Sequence, residues 1–239
     1  MSSHLDLDIL DSLDSLDNID ILLASGSPRR RELLKELGWK FRVAVPQVDE
    51  SPLPGESPDK LCLRLAATKA QAVAKTNAAA AMNEKLMNEN LMLMNENLMN
   101  ENLLIIAADT VVVVDGDVLG KPRNEEESLK MIERLQGRTH EVLTGLGVRW
   151  KGRATSALER TWVCFRPLNE AAMRAYVKTG EGLDKAGAYA IQGKGALLVS
   201  SIEGDYFNVV GLPLCRLAAM LEALGLDLPR LWRMGRRCF

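Results

Sequence analysis

The sequence predicts an α/β fold in which a long mixed β-sheet is flanked by helices. Three observations carry that expectation. Strand-length apolar runs alternate with segments of helical period along most of the 239 residues. Asp115-Gly116 and Lys151-Gly152 each sit between two apolar runs, as hairpin turns do, so some neighbouring strands must be antiparallel. Apolar residues make 47% of the chain against 26% charged, enough for a sizeable core in one domain or one two-lobed unit.

Residues 1–20 carry six Asp and no Lys or Arg and read as an acidic, solvated, flexible extension. They lack the basic start and continuous apolar run of a signal peptide, and their charge is wrong for a transit peptide. The first buried strand is 19–24. Ser25-Gly26-Ser27-Pro28 then leads into a helix over 29–37, with Leu33, Leu34 and Leu37 on one face and Gly38 as its stop. Residues 39–45 alternate as a strand and 46–58 form a Pro-rich acidic loop. Ser57-Pro58-Asp59 opens a helix to residue 74.

Residues 82–103 repeat Met-Asn-Glu-Lys/Asn-Leu four times and hold five of the ten methionines. A period of five turns the apolar position by about 140° per repeat on an α-helix, so no face persists throughout. The segment reads as a duplicated, partly helical surface insertion at about 78–103, with a self-associating apolar stripe as the sharper alternative. A β-branched strand follows over 104–114, and Asn124 with Glu127 caps a helix to Gln136. Strands over 139–150 and 157–166 precede a helix from 169 to 179, closed by Gly180. Short strands at 188–192, 196–202 and 206–210 and a helix at 213–224 complete one domain, 21–228. Arg230, Arg233, Arg236 and Arg237 mark 229–239 as a basic tail.

The net charge of −2, with no basic face outside that tail, argues against nucleic-acid binding. No stretch approaches the roughly 20 apolar residues of a membrane helix. Cys62, Cys164, Cys215 and Cys238 have neither zinc nor disulfide spacing, which points to reducing cytoplasm. Two histidines exclude a His-rich metal site, and His140 reads as structural. Neither a Walker loop nor a Ser/His/Asp arrangement is legible.

Chemistry is legible elsewhere. Ser25 to Arg30 places free N–H groups, hydroxyls and two guanidiniums at a helix N-terminus, where phosphate oxygens bind well. Asp109 interrupts an apolar strand and must be compensated by a partner, a metal or a cleft. With Glu50 in the acidic loop it gives two separated carboxylates, the ingredients for Mg²⁺ and a polyphosphate. Lys69, Lys121 and Lys185 each read alone as solvated surface lysines. Gln192 ends an apolar run, where its amide could meet a base edge or a turn.

Taken in order, Leu22 to Arg30, Ala107-Ala108-Asp109-Thr110, Leu119-Gly120-Lys121-Pro122, Asp184 to Tyr189 and Val210-Gly211-Leu212-Pro213 resemble the Maf family of nucleoside triphosphate pyrophosphatases. The resemblance covers about 21–226 apart from the insertion. It implies two lobes around a central cleft, often in a homodimer, and hydrolysis of a nucleotide to monophosphate and pyrophosphate with a divalent metal, Mg²⁺ or alternatively Mn²⁺. Asp109 matches the family's proton acceptor, and Glu50 a metal-side carboxylate beside it. Arg29, Thr110 and Gln192 match positions of substrate choice; Ser25, Arg30, Lys69 and Lys121 match phosphate-side positions. Pro-Arg-Arg, Ala-Asp-Thr and Ala-Tyr-x-Ile-Gln-Gly are similar to the dTTP/UTP type rather than the 7-methyl-GTP type. A division regulator that binds nucleotide without turnover, and a hydrolase of deaminated purine nucleotides, are the rival expectations.

Overall fold

The computed structural model describes residues 19–87 and 102–234. The elements in chain order are β1 (Asp20–Ala24), α1 (Pro28–Glu36), β2 (Phe41–Val43), α2 (Pro58–Met87), β3 (Leu103–Val114), β4 (Asp117–Leu119) and α3 (Glu125–Leu135). They continue with β5 (Thr139–Trp150), β6 (Arg153–Phe165), α4 (Glu170–Val177), β7 (Val199–Glu203), α5 (Tyr206–Val210), α6 (Leu214–Ala223) and α7 (Leu228–Arg233). The acidic segment 1–18, repeat residues 88–101 and tail residues 235–239 lie outside the described residues, and so do the expectations placed on them.

The strands form one seven-stranded sheet in the order β2-β1-β3-β5-β6-β7, with β4 paired to β3. β1 is parallel to β2 and β3, and the remaining pairs are antiparallel, so the sheet is mixed.

β3 decides the architecture, because alternate residues of a strand face opposite sides of the sheet. On its even face, Leu104, Ile106 and Ala108 pack with Leu33 and Leu34 of α1 and Leu217 and Leu221 of α6. Farther along the same face, Val112 and Val114 join Ile132 and Leu135 of α3 and Met173 and Val177 of α4 in a second core. Thr110 lies between the two cores. The sheet is thus shared by two lobes, and the gap over Thr110 is the start of the cleft.

The odd face is covered by α2, whose Ala70 and Val73 meet Ile105 and Ala107, and whose Leu61, Cys62 and Leu65 meet Val111 and Val113. Its approach to β5 is unusually close. A Cβ on Gly145 would stand 2.2 Å from the Cys62 carbonyl oxygen, so only glycine fits there. That approach puts the next turns of α2 directly over Asp109.

Several local expectations change. α2 runs past Ala74 to Met87, since no Gly or Pro between them stops it and Ala78 to Ala81 favour helix. β6 begins at Arg153, directly after the Lys151-Gly152 turn, where both residues have positive φ. Residues 188–192 are not a strand but irregular chain between two short 3₁₀ turns, Ala186–Ala188 and Gly193–Leu198. Of residues 196–202, 199–202 form β7 together with Glu203, and 196–198 belong to the preceding 3₁₀ turn. Residues 206–210 are helix α5, because Asp205 caps Phe207 N and Gly211 ends the turn in the left-handed region. The first residues of the basic segment form α7, which buries Leu231 and accepts a 3.1 Å hydrogen bond at its carbonyl from Trp39 Nε1.

Candidate active site

A cleft of about 830 Å³ opens between the lobes, and all nine sequence-predicted site residues line it: Ser25, Arg29, Arg30, Glu50, Lys69, Asp109, Thr110, Lys121 and Gln192. Six chain segments deliver them. β1 ends at Ala24 and hands the backbone to the Ser25–Ser27 turn and the first turn of α1. No acidic side chain occupies that first turn, and Ser27 makes no side-chain cap, so the N–H groups of the helix start are not satisfied from within.

Arg29 and Arg30 behave differently. Arg30 Nε donates to Gly211 O at 2.7 Å, Nη1 to Ala108 O at 2.9 Å and Ser25 Oγ at 3.0 Å, and Nη2 to Thr110 Oγ1 at 2.9 Å. Four of the five donors of a guanidinium are therefore spent on the protein. Burial lowers its pKa to about 10, with nearby Asp109 opposing the shift. Thr110 passes the pattern on to Thr144, 2.9 Å away, whose hydroxyl donates to Asn208 O at 3.2 Å. Arg29 spends one donor, Nε to Val210 O at 3.2 Å. Burial lowers its pKa too, partly offset by Asp184. Arg30 thus holds Ser25, Thr110 and the Gly211 turn in register, while Arg29 keeps donors for a ligand.

The expectation of solvated lysines fails at Lys69. It lies on the stripe of α2 marked by Cys62, Leu65, Ala66, Ala70 and Val73, and is itself only 8% exposed. A buried ammonium needs a partner. Lys69 Nζ has two, Asp109 Oδ1 at 2.6 Å and Glu50 Oε1 at 2.7 Å. Asp109 is also buried, whereas the Glu50 side chain is 60% exposed at the cleft edge. Lys121, between Gly120 and Pro122, is exposed and has no ion-pair partner among the described residues. The neighbouring Cys62 thiol is pushed up to about 12 by burial and offers no nucleophile.

The glutamine side of the cleft is built from the irregular chain after α4. Tyr189, Ile191 and Gln192 line it, together with Asp184 and Lys185. Lys185 Nζ donates to Glu181 O at 2.6 Å and pairs with Asp184 Oδ1 at 2.5 Å, so it is a tether rather than a solvated charge. The Gln192 amide makes no hydrogen bond among the described residues, which removes the turn alternative. Tyr189 and Asp184 were legible only as members of a motif, with no period or spacing to mark them singly.

Mixed charge, an arginine with donors left over and a glutamine amide unpaired among the described residues suit a polyanion bearing a polar ring. The chain also matches the Maf-like protein family over residues 20–224. It belongs to the Maf family. A dTTP/UTP pyrophosphatase of Symbiobacterium thermophilum is 45% identical over 205 residues, covering 86% of this chain and 94% of that protein. One from Myxococcus xanthus is 44% identical over 213 residues, 89% and 95% of the two chains. One from Bacillus cereus is 41% identical over 207 residues, 87% and 96%. The Maf match begins at β1 and ends after α6, so it spans both lobes of the cleft.

Two carboxylates converging on one ammonium also test whether a divalent ion fits. Among the described residues no three His, Cys, Asp or Glu side chains gather into a cage. Glu50 and Asp109 nevertheless reach a common cation, Lys69 Nζ. That donor set suits Mg²⁺, which takes one or two carboxylates and completes its shell with water and phosphate oxygens.

Proposed function

We propose that the protein hydrolyses dTTP and UTP, and modified pyrimidine nucleotides, to the monophosphate and pyrophosphate, clearing them from the nucleotide pool. The observation that carries this reading is a buried strand carboxylate, Asp109, 2.6 Å from an ammonium in a cleft that also holds a helix N-terminus, Arg29 and Lys121. The three relatives above bear the name of this activity.

Asp109 Oδ accepts a proton from water as the water oxygen bonds to the α-phosphorus. The α–β bridging oxygen keeps the bonding pair and departs with pyrophosphate. Arg29, Lys121 and the α1 N–H groups bind the phosphates and offset charge growing on the leaving oxygens. Lys69 holds Asp109 and Glu50 in place. Glu50 and Asp109 would hold Mg²⁺ or Mn²⁺, which supplies Lewis-acid neutralisation of phosphate charge and a more acidic water. Gln192 pairs with the base edge, and Arg29 and Thr110 border that choice. A regulator that only binds nucleotide would need no buried carboxylate there. Cytoplasmic location and a homodimer belong to the same reading: the first rests on cysteine spacing that suits neither zinc nor disulfides, the second on the family resemblance. No described helix is long and apolar enough to cross a membrane.

Pyrophosphate release with Mg²⁺ across dTTP, UTP, CTP, ATP, ITP, XTP and 7-methyl-GTP tests the reading. Release should be fastest for dTTP and UTP, and Asp109→Asn should lower kcat at least about 10²-fold. Near-normal turnover in that variant would remove Asp109 from its role, and preference for a purine would overturn the substrate.

A further inference from the structure

The sequence gives no reason to single out Glu181, which follows the Gly180 stop of α4. In the fold its carboxylate is a hub. Oε2 accepts from Lys194 N at 2.9 Å, and Oε1 accepts from Gly195 N at 2.8 Å and from Tyr176 Oη at 3.3 Å. Tyr176 Oη in turn accepts from Ala190 N at 3.2 Å. Gln192 therefore lies within the six-residue stretch 190–195, whose two ends hang on one carboxylate. One end, Lys194 and Gly195, is bound directly, and the other, Ala190, through a phenol.

These are donors at the start of the Gly193–Leu198 turn, and a side-chain carboxylate satisfies them strongly because the bonds are charge-assisted. The packing is equally tight. A Cβ on Gly195 would stand 2.1 Å from Ala190 O and 2.8 Å from Tyr176 Oη, so the two ends of the stretch touch backbone to backbone. Gln192 makes no protein hydrogen bond of its own among the described residues. Its direction is set by the backbone that carries it.

We propose that Glu181 is a specificity-positioning residue: by fixing the backbone of 190–195 through Lys194, Gly195 and Tyr176, it aims the Gln192 amide at the base of the nucleotide. The inference rests on Gln192 as the base contact. A polar contact placed by the protein discriminates strongly only while it is held in position, since a misaimed donor or acceptor is no better than water.

The test is kcat/KM for UTP and for CTP in the full chain, wild type against Glu181→Ala, Gln192→Ala and the double variant. Glu181→Ala should lower the UTP:CTP ratio about tenfold, with kcat for UTP reduced less than KM is raised. In the Gln192→Ala background it should change the ratio by less than twofold, because the group it aims is gone. Tyr176→Phe removes only the phenol link and should lower the ratio about threefold. It also serves if Glu181→Ala does not fold. An unchanged ratio in both Glu181→Ala and Tyr176→Phe, or the same loss with and without Gln192, overturns the brace. If Gln192→Ala itself leaves the ratio unchanged, base reading by Gln192 falls and the brace with it; if only the Glu181 and Tyr176 variants are silent, the brace alone falls.

Discussion

Arg30 ties together β1, β3 and the turn after α5 with four hydrogen bonds, all to groups borne by regular elements or by the turn that ends one. Glu181 ties together a stretch with no strand and no long helix, through two amides and one phenol. Both are single charged side chains acting as fasteners inside one cleft. They differ in what they fasten. Asp109 belongs to the central strand of the sheet, so the carboxylate proposed as the base moves only if the core moves. Gln192 belongs to irregular chain, held by the Glu181 hub and by Ile191 and Tyr189 packed on the two cores, rather than by a ladder of strand hydrogen bonds. On the proposed assignment, chemistry on the strand and recognition on the loop would let one scaffold keep its reaction if its base preference changed.

The sharpest way to break that contrast is to lift α2 off the sheet. Gly145→Ala drives a methyl group against the Cys62 carbonyl, 2.2 Å away, where neither backbone can yield cheaply. We expect a loss of at least about 3 kcal/mol in urea unfolding, together with loss of turnover, because Lys69 leaves Asp109. Unchanged stability would mean that α2 is not what fixes the floor of the cleft. Arg30→Lys is milder. One ammonium cannot reproduce a fork that reaches Gly211, Ala108, Ser25 and Thr110. kcat/KM should fall about 100-fold, equally for UTP and CTP, through misplacement of Ser25 and of the Ala108 backbone beside Asp109. A change confined to the UTP:CTP ratio would place Arg30 on the recognition side instead.

The sequence exposed the strand part of the cleft far better than the loop part. Asp109 announced itself as a charge inside an apolar strand, and Ser25 to Arg30 as arginines where a helix start disfavours them. Taken alone in the sequence, Lys69 looks like a surface residue, although it falls on the buried stripe of α2. An Ala-rich helix shows that stripe weakly, since alanine is at home on either face. The region from 188 to 210 was harder still. Tyr-Phe-Asn-Val-Val fits a strand by its β-branched and aromatic content, and five residues are too few to show a period. Asn208, fully buried in α5, donates to Val142 O and Thr161 Oγ1 at 3.0 Å each, and those tertiary bonds settle the helix. Glu181 acts through backbone amides more than a dozen residues away, and a sequence pattern records no such contact.

Acid should expose the looser part first. His140 on β5 lies beneath the glutamine side of the cleft, its Nε2 2.8 Å from Tyr189 Oη and its ring edge-on to Phe165 and Tyr189. Nδ1 is buried with no hydrogen-bond partner, so the ring has nowhere to share a second proton. Burial accordingly lowers its pKa from 6.5 to about 4. Between these values the unfolded chain binds a proton that the folded chain refuses. The stability is present in full above pH 6.5 and drains as pH falls towards 4, by about 2 kcal/mol at pH 5. Urea unfolding of the wild type and of His140→Asn at pH 7 and pH 5 measures this directly. The variant should lose about 2 kcal/mol less than the wild type on acidification. Tyr189, anchored to His140 and lining the cleft beside Gln192, should report the change as a falling UTP:CTP ratio before turnover is lost. Equal pH dependence in the two proteins would leave His140 outside the titration, and with it the view that the recognition loop has its own, weaker foundation.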